Sequence, residues 1–303
     1  MSQIAVLIPC YNEEQSIAKV VKDFKHNLPQ AVIYVYDNNS TDNTAKIARQ
    51  AGAIVRTENR QGKGCVVRRM FADIDADIYL MVDGDGTYDA TKANELITTL
   101  QNDNYDMVVG TRVDVSNECY RKGHRSGNFI LTKLVQLFFN YKLQDMLSGY
   151  RAFSRRFVKT FPAISDGFEI ETELTIYALS SKLPIKEIPT NYFARQQGSV
   201  SKLSTYKDGL KILRAIVLLL ESERPLLFFS LISFALFTSS IILIIPIITE
   251  YLHSGLVPRL PTAILASAIM LCSIISELIG WVLDSVANAK KENRRQNYLH
   301  YNQ

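Results

Sequence analysis

Positions 226–248 carry no charged residue, an uninterrupted run of 23. Such a run can cross a hydrocarbon core of about 30 Å as a helix. Inside hydrocarbon every backbone amide needs a partner within the protein, so a helix is the conformation open to a single segment of this kind. A second apolar stretch, 262–283, is interrupted only by Glu277. An ionisable group at that depth is costly and is expected near an interface or against the neighbouring helix. The connector 249–261 holds Gly255, Pro258 and Pro261, so the pair reads as a helical hairpin. Lys207, Lys211, Arg214 and Arg224 precede it, and Lys290, Lys291, Arg294 and Arg295 follow it, whereas Arg259 is the only Lys or Arg in the connector. Both ends are therefore expected on the cytoplasmic side of an inner membrane.

The residues before the hairpin mix charged and apolar positions as a water-soluble domain does. Apolar runs at 3–9, 31–36, 53–56, 78–82 and 106–109 alternate with helically spaced segments at 13–27, 41–51, 63–74 and 90–100. That alternation implies an α/β domain whose mostly parallel sheet is covered on both faces. Two amphipathic stretches, 129–143 and 206–220, read either as core-facing helices or as helices lying in the headgroup layer. The first residues hold neither a basic segment nor a long apolar one, so no signal peptide is expected. Cys10, Cys65, Cys119 and Cys272 show no paired spacing, which fits a reducing compartment and argues against structural zinc. The net charge of +4 is modest. With basic residues crowded beside the hairpin, it points to an anionic membrane surface or a phosphate-bearing substrate and away from nucleic acid.

Four segments fall where strands of such a sheet should end. Asp83-Gly84-Asp85-Gly86 directly follows the run 78–82, so a buried strand delivers two carboxylates to the sheet edge, where a divalent ion carrying a diphosphate could sit. It is not an EF-hand loop, because the twelfth position is Asn94. In the stretch from Ile8 to Glu13, Pro9 stops a strand and Asn12 or Glu13 can accept from a helix start or a ligand. Asp37-Asn38-Asn39-Ser40 places a carboxylate just past a strand, suited either to a ribose or base edge or to simple turn capping. Asn59-Arg60-Gln61-Gly62-Lys63-Gly64 is a glycine-basic turn at a helix start, suited to a phosphate, though Lys63 alone reads equally as a solvated charge.

In this order and spacing, these segments resemble the GT-A nucleotide-sugar fold of family 2 glycosyltransferases. The resemblance continues through Gly110-Thr111-Arg112, Asp145-Met146-Leu147-Ser148-Gly149-Tyr150-Arg151 and the stretch from Arg195 to Lys202. Those segments are similar to the polyprenyl-phosphate branch, which includes dolichol-phosphate mannose synthase and bactoprenol glucosyltransferases. The likeness covers about residues 3–210. It implies a Rossmann-like GT-A catalytic domain at 1–205, an amphipathic juxtamembrane helix at 206–224, two transmembrane helices within 225–285 and a basic cytoplasmic tail at 286–303.

The activity implied is inverting transfer of a sugar from a nucleotide-sugar donor, UDP-linked in preference to GDP-linked, to undecaprenyl or dolichyl phosphate. The resemblance puts Pro9, Tyr11 and Glu13 along the nucleotide, Asp37 at the base or ribose, and Lys63 and Gly84 at the donor. Asp83 would face the nucleotide or sugar, and Asp85 would ligate Mg²⁺ or Mn²⁺ on the diphosphate. Thr87 stands where the mannose synthases carry a metal-holding glutamine, so a hydroxyl or a water would replace it. Arg112, Arg125, Ser148 and Arg151 are the expected acceptor-phosphate residues, and Arg195 with Lys202 would close over the donor diphosphate. Asp145 occupies the position of a catalytic carboxylate, acting as a base or orienting Arg151 or the sugar. Arg121 and Lys122 fit surface or headgroup contacts, and Glu169, Glu171 and Glu173 fit either sugar hydroxyls or a solvated, capping role.

Two other activities are weighed against this one. A processive polysaccharide synthase would carry a Gln-x-x-Arg-Trp segment, whereas the sole tryptophan, Trp281, lies in the second apolar stretch. A non-catalytic lipid-sugar binding or scaffold protein would not need Asp83, Asp85 and Arg112 together. Homo-oligomer formation stays open, since Ser273, Ser276 and Glu277 could bond across helices.

Overall fold

The computed structural model describes residues 2–115, 124–195 and 205–301, and the side chains of these other than 124–126 and 205–208. Its strands are β1 (Ile4–Cys10), β2 (Val32–Asp37), β3 (Ile54–Thr57), β4 (Ile78–Met81), β5 (Met107–Asp114), β6 (Arg151–Ser154) and β7 (Ile185–Tyr192). The helices are α1 (Ile17–Asn27), α2 (Thr44–Gln50), α3 (Lys63–Asp73), α4 (Ala93–Asn102), α5 (His124–Phe139), α6 (Arg155–Thr160), α7 (Ile170–Ser180), α8 (Thr205–Glu223), α9 (Pro225–Ser254) and α10 (Leu260–His300). By its contacts the chain divides into two compact units, Met1–Ile216 with Arg294–Gln303 and Val217–Asn293.

The first unit is built on a seven-stranded sheet in the order β3-β2-β1-β4-β6-β5-β7. Only β6 runs against its neighbours; the other pairings are parallel. Along β1, Ile4, Val6, Ile8 and Cys10 enter one core while Ala5 and Leu7 enter the other. In β4, Leu80 and Ile78 likewise oppose Tyr79 and Met81. A strand buried on both faces must be apolar at every position, which is why these segments read as unbroken runs. On one face α1 presents Ile17, Val20, Val21 and Phe24, a single helical stripe, beside Leu96, Ile97 and Leu100 of α4. On the other face lie Val67, Met70 and Phe71 of α3 with Phe157 of α6 and Leu174 and Tyr177 of α7. The periodic reading anticipated β1 to β5 and missed β6 and β7. β6 is four residues long and opens on an arginine, and β7 buries only Ile185, Ile188 and Thr190 and contains Pro189.

The second unit pairs helices with the polarity reversed. Pro225 starts α9 where its missing N–H costs nothing, and Gly255 ends it at φ 70°, donating to the Tyr251 carbonyl. Ser233 and Ser273 exchange hydrogen bonds, Ser230 donates to Glu277 at 3.0 Å, and Ser240 donates to the Ala266 carbonyl at 2.8 Å. Leu231, Phe234, Ile242, Leu271 and Ile274 face outward. Both α9 and α10 are long and apolar enough to cross a membrane. The expected tail at 286–303 is the unbroken continuation of α10 as far as His300, in a stretch rich in the helix formers Ala, Lys, Glu and Arg. Its last turns belong to the first unit, where the Tyr298 hydroxyl donates to buried Asp106 at 2.7 Å.

Candidate active site

The chain leaves β1 for β2 and β3 on one side, then returns as β4 on the other. That reversal of strand order opens a crevice at the carboxyl ends of β1 and β4, the place where open α/β sheets hold ligands. A cleft of about 580 Å³ occupies it, within the usual size range of small-molecule sites. Pro9, Cys10, Tyr11 and Glu13 reach it from β1, Asn38 from β2, Asp83, Gly84 and Asp85 from β4, and Arg112 from β5. Tyr192, Arg195, Lys211 and Ile212 complete one wall.

The two carboxylates are held differently. Asp85 is buried, and its Oδ1 accepts from the Thr87 amide at 3.1 Å and the Thr87 hydroxyl at 2.6 Å. Its Oδ2 pairs with Arg195 at 2.6 Å. Asp83 is partly open and pairs with Lys63, which also pairs with Glu171. Burial alone would pull the Lys63 ammonium down. The carboxylates of Asp83 and Glu171 outweigh that effect and hold its pKa above the ordinary lysine value. Asp83 fits only because Gly149 lacks a side chain, since a Cβ there would stand 2.5 Å from Asp83 Oδ2.

Oxygen donors of this kind suit Mg²⁺ or Mn²⁺. Among the described residues no group of three or more His, Cys, Asp or Glu could hold a metal. An ion at the pair would have to draw its remaining ligands from a diphosphate and water.

Lys63 is aimed by an unusual approach of two backbones. The Gly64 amide donates to the Asp166 carbonyl at 2.9 Å, and a Cβ on Gly64 would lie 2.1 Å from the Ser165 carbonyl oxygen. The glycines of this turn thus admit the loop 163–167. Arg68 fastens the same loop by donating to the Ala163, Ile164 and Ser165 carbonyls and to Asp166.

The loop leads into α7, whose acidic residues separate into three roles. Glu169 accepts from the Gly167 amide, and Glu173 accepts from the amides of Ile164 and Ser165 at 2.8 and 2.7 Å. Glu171 is buried against Lys63 and lines the cleft, which sets aside the solvated role for this member of the cluster. Burial pushes its carboxyl up from the ordinary range, an effect that Lys63 partly offsets.

Arg112 grips Asp145 in a two-pronged pair at 2.6 and 2.7 Å, reinforced by the Arg112 amide and by Asn128. Burial alone would raise the Asp145 carboxyl, but Arg112 and Asn128 hold it below the ordinary carboxylate range. Arg151, by contrast, is fully buried, with its guanidinium on the Ser148 and Met146 carbonyls and the Thr175 hydroxyl. Ser148 is also fully buried, donating to the Gly110 carbonyl and accepting from the Tyr150 amide.

Of the residues named from sequence, Pro9, Tyr11, Glu13, Lys63, Asp83, Gly84, Asp85, Arg112 and Arg195 line one cleft. Asp145 stands behind Arg112, and Thr87 is turned onto Asp85. Asp37 is buried at the end of β2, its Oδ2 accepting from the Ser40 amide. Arg151 and Ser148 are part of the scaffold beneath the cleft and do not line it. Lys202, Arg121 and Lys122, and the side chain of Arg125, lie outside the described residues. Sequence reading missed Asn38, whose side-chain amide clamps the Glu58 and Arg60 carbonyls and the Gly62 amide, as well as Tyr88, Phe168 and Tyr192 in the lining. Asn38 sits inside the segment 37–40, where attention fell on the carboxylate, and the three aromatic residues carry no motif of their own.

A sheet of this order with an acidic pair at its switch point is the GT-A architecture of nucleotide-sugar enzymes. The chain belongs to glycosyl transferase family 2, whose profile matches residues 5–161, and it is a glycosyltransferase. Glycosyltransferase AglJ of Haloferax volcanii is 36% identical to it over 234 residues, 77% of each chain. The dolichyl-phosphate hexose transferase of the same organism is 28% identical over 221 residues, 73% of this chain and 95% of that one. The crystal structure of glucosyl-3-phosphoglycerate synthase from Mycobacterium tuberculosis with Mn²⁺, UDP-glucose and phosphoglyceric acid shares the fold. Its TM-score is 0.60 at 21% identity, covering 73% of this chain and 79% of that one.

Proposed function

We propose that the protein moves a hexose from a nucleoside diphosphate sugar, UDP-linked in preference, to the phosphate of a polyprenyl lipid. One observation carries this reading: the paired carboxylates Asp83 and Asp85 share a single cleft with the cations Lys63, Arg112 and Arg195. An acceptor phosphate is already anionic, so the reaction asks for neutralisation and alignment more than for proton removal. A phosphate oxygen of the acceptor attacks C1 of the sugar, the bond from C1 to the diphosphate oxygen breaks, and the nucleoside diphosphate leaves with the electron pair. Single displacement inverts the anomeric centre.

Asp85 and Asp83 would hold Mg²⁺ or Mn²⁺, which supplies positive charge to the departing diphosphate. Arg195, whose buried Nη1 has no hydrogen-bond partner, stands ready to donate to the same diphosphate. Arg112 is the candidate for the acceptor phosphate, held in its fork geometry by Asp145. A carboxylate held below its ordinary pKa is a weak base, so Asp145 serves this reading as a positioning residue. The helices α9 and α10 would anchor the protein in the membrane that carries such an acceptor, with both termini cytoplasmic. The hexose transferase from Haloferax volcanii, named for dolichyl phosphate, supports the choice of acceptor.

Release of nucleoside diphosphate from a panel of nucleotide sugars, with and without undecaprenyl phosphate and Mn²⁺, tests the proposal. Release should require both the lipid and the metal and should yield a lipid carrying one sugar. Asp85→Ala should lower it by about 10²–10³-fold or more. A polymeric product, or release unchanged in that variant, would overturn the reading.

A further inference from the structure

The cleft holds a polar atom that the donor's diphosphate does not explain. On the described lining residues, two buried side-chain atoms lack hydrogen-bond partners: Nη1 of Arg195 and Oε2 of Glu171. The first is a cation suited to a phosphate. The second is a carboxylate oxygen, which accepts hydrogen bonds and repels phosphate. A buried acceptor left empty costs free energy, so an orphan aimed into a cleft marks the place of a ligand's donor group.

Glu171 is not a spare surface acid. It is 4% exposed, and its other oxygen is fixed by Lys63, which reaches across to Asp83. Its two helical neighbours in the acidic cluster are satisfied elsewhere, Glu169 by one loop amide and Glu173 by two. Glu169, the N-cap of α7, also lines the cleft, but of the three acids Glu171 is the one tied through Lys63 to Asp83.

We infer that Glu171 is a specificity-determining residue that accepts a hydrogen bond from a hydroxyl of the donor sugar. The inference rests on the nucleotide-sugar reading above. Lys63 ties Glu171 to Asp83, and so places it beside the acidic pair, where the diphosphate and the sugar attached to it would lie. A hexose offers O–H donors there; the diphosphate offers none. A site built to accept from a hydroxyl discriminates strongly against a sugar that lacks it, because the acceptor is then buried unpaired.

Calorimetric binding in MnCl₂ decides the matter, using the full-length protein in detergent. The ligands are UDP and the tightest binder among UDP-glucose, UDP-galactose and UDP-N-acetylglucosamine. Glu171→Gln, which keeps the shape and an oxygen for Lys63, should weaken the UDP-sugar by about 10-fold or more and leave UDP within about twofold. One deoxy analogue of that sugar should bind the wild type weakly and be insensitive to the substitution. Equal losses for UDP and UDP-sugar, no loss for either, or the same loss across every deoxy analogue would overturn the inference while leaving the nucleotide-sugar reading standing. Failure of the wild type to bind UDP or any UDP-sugar would instead overturn that reading, and this inference with it.

Discussion

The two units of this chain obey one rule in opposite senses. In the first, apolar side chains fill both faces of a sheet and the polar groups gather at strand ends, where Asp83, Asp85, Arg112 and Arg195 meet in a cleft. In the second, serines and Glu277 occupy the seam between helices while leucine, isoleucine and phenylalanine face out. Burial in the first unit removes apolar surface from water. On the membrane reading proposed above, the surround of the second is as apolar as its exposed side chains, and what the seam must satisfy is hydrogen bonding and close packing. An exposed isoleucine therefore has a different meaning in each unit, as does a buried hydroxyl.

The largest test lies in the first unit, where charges are buried in pairs. Arg112→Ala leaves Asp145 ionised with its main counter-charge gone, and should lower stability by about 3–5 kcal/mol in a thermal or denaturant melt. The sign with pH follows from the depressed Asp145 pKa. A depressed carboxylate stabilises the fold at pH above its unfolded value of about 3.9 and loses that contribution as pH falls through the folded value. Wild-type stability should fall in that acid window, and Asp145→Asn should flatten the fall. An Asp145→Asn curve parallel to wild type would remove the pair from the account of the cleft.

A smaller test compares two isoleucines of similar solvent exposure. Ile242 on α9 and Ile54 on β3 are 65% and 47% exposed. Ile242→Lys should disfavour membrane insertion by about 2.5–3.5 kcal/mol if its surroundings are hydrocarbon. Ile54→Lys, on a surface bathed by water, should stay within about 0.5 kcal/mol. Alkaline extraction of membranes reads the first and a thermal melt the second. Equal indifference at both positions would mean that α9 is an ordinary soluble helix.

How much of this was legible in the sequence depended on whether a residue's role is local. Continuous apolar runs announced β1 and β4, because a strand buried on both faces cannot hide its composition. Asp83 and Asp85 were legible because the run that carries them ends at them. Arg112 was legible only through its likeness to a family motif, and its partner Asp145 lies 33 residues away, a pairing that no spacing predicts. Arg151 shows the converse. An arginine in a recognised motif suggested a phosphate, yet its environment is carbonyls and a threonine, a fact set entirely by tertiary packing. Glu171 was visible as one of three acids, but which of the three meets Lys63 depended on a loop held by Arg68 and Glu173.

The finest contrast is between two serines, each buried and each donating to a carbonyl. Ser148 donates to the Gly110 carbonyl and accepts from the Tyr150 amide, so Ser148→Ala leaves a buried N–H without its partner and should cost about 1–3 kcal/mol. Ser240 donates to the Ala266 carbonyl at 2.8 Å across the helical seam. Its loss should cost only about 0.6 kcal/mol, since the unfolded helix in a membrane finds other partners for the same hydroxyl. Thermal unfolding of both variants in one detergent gives the comparison directly. A Ser240→Ala loss as large as that of Ser148→Ala would mean that the hairpin is held by its polar seam in the way a soluble core is held, and the division by solvent would fail at its most sensitive point.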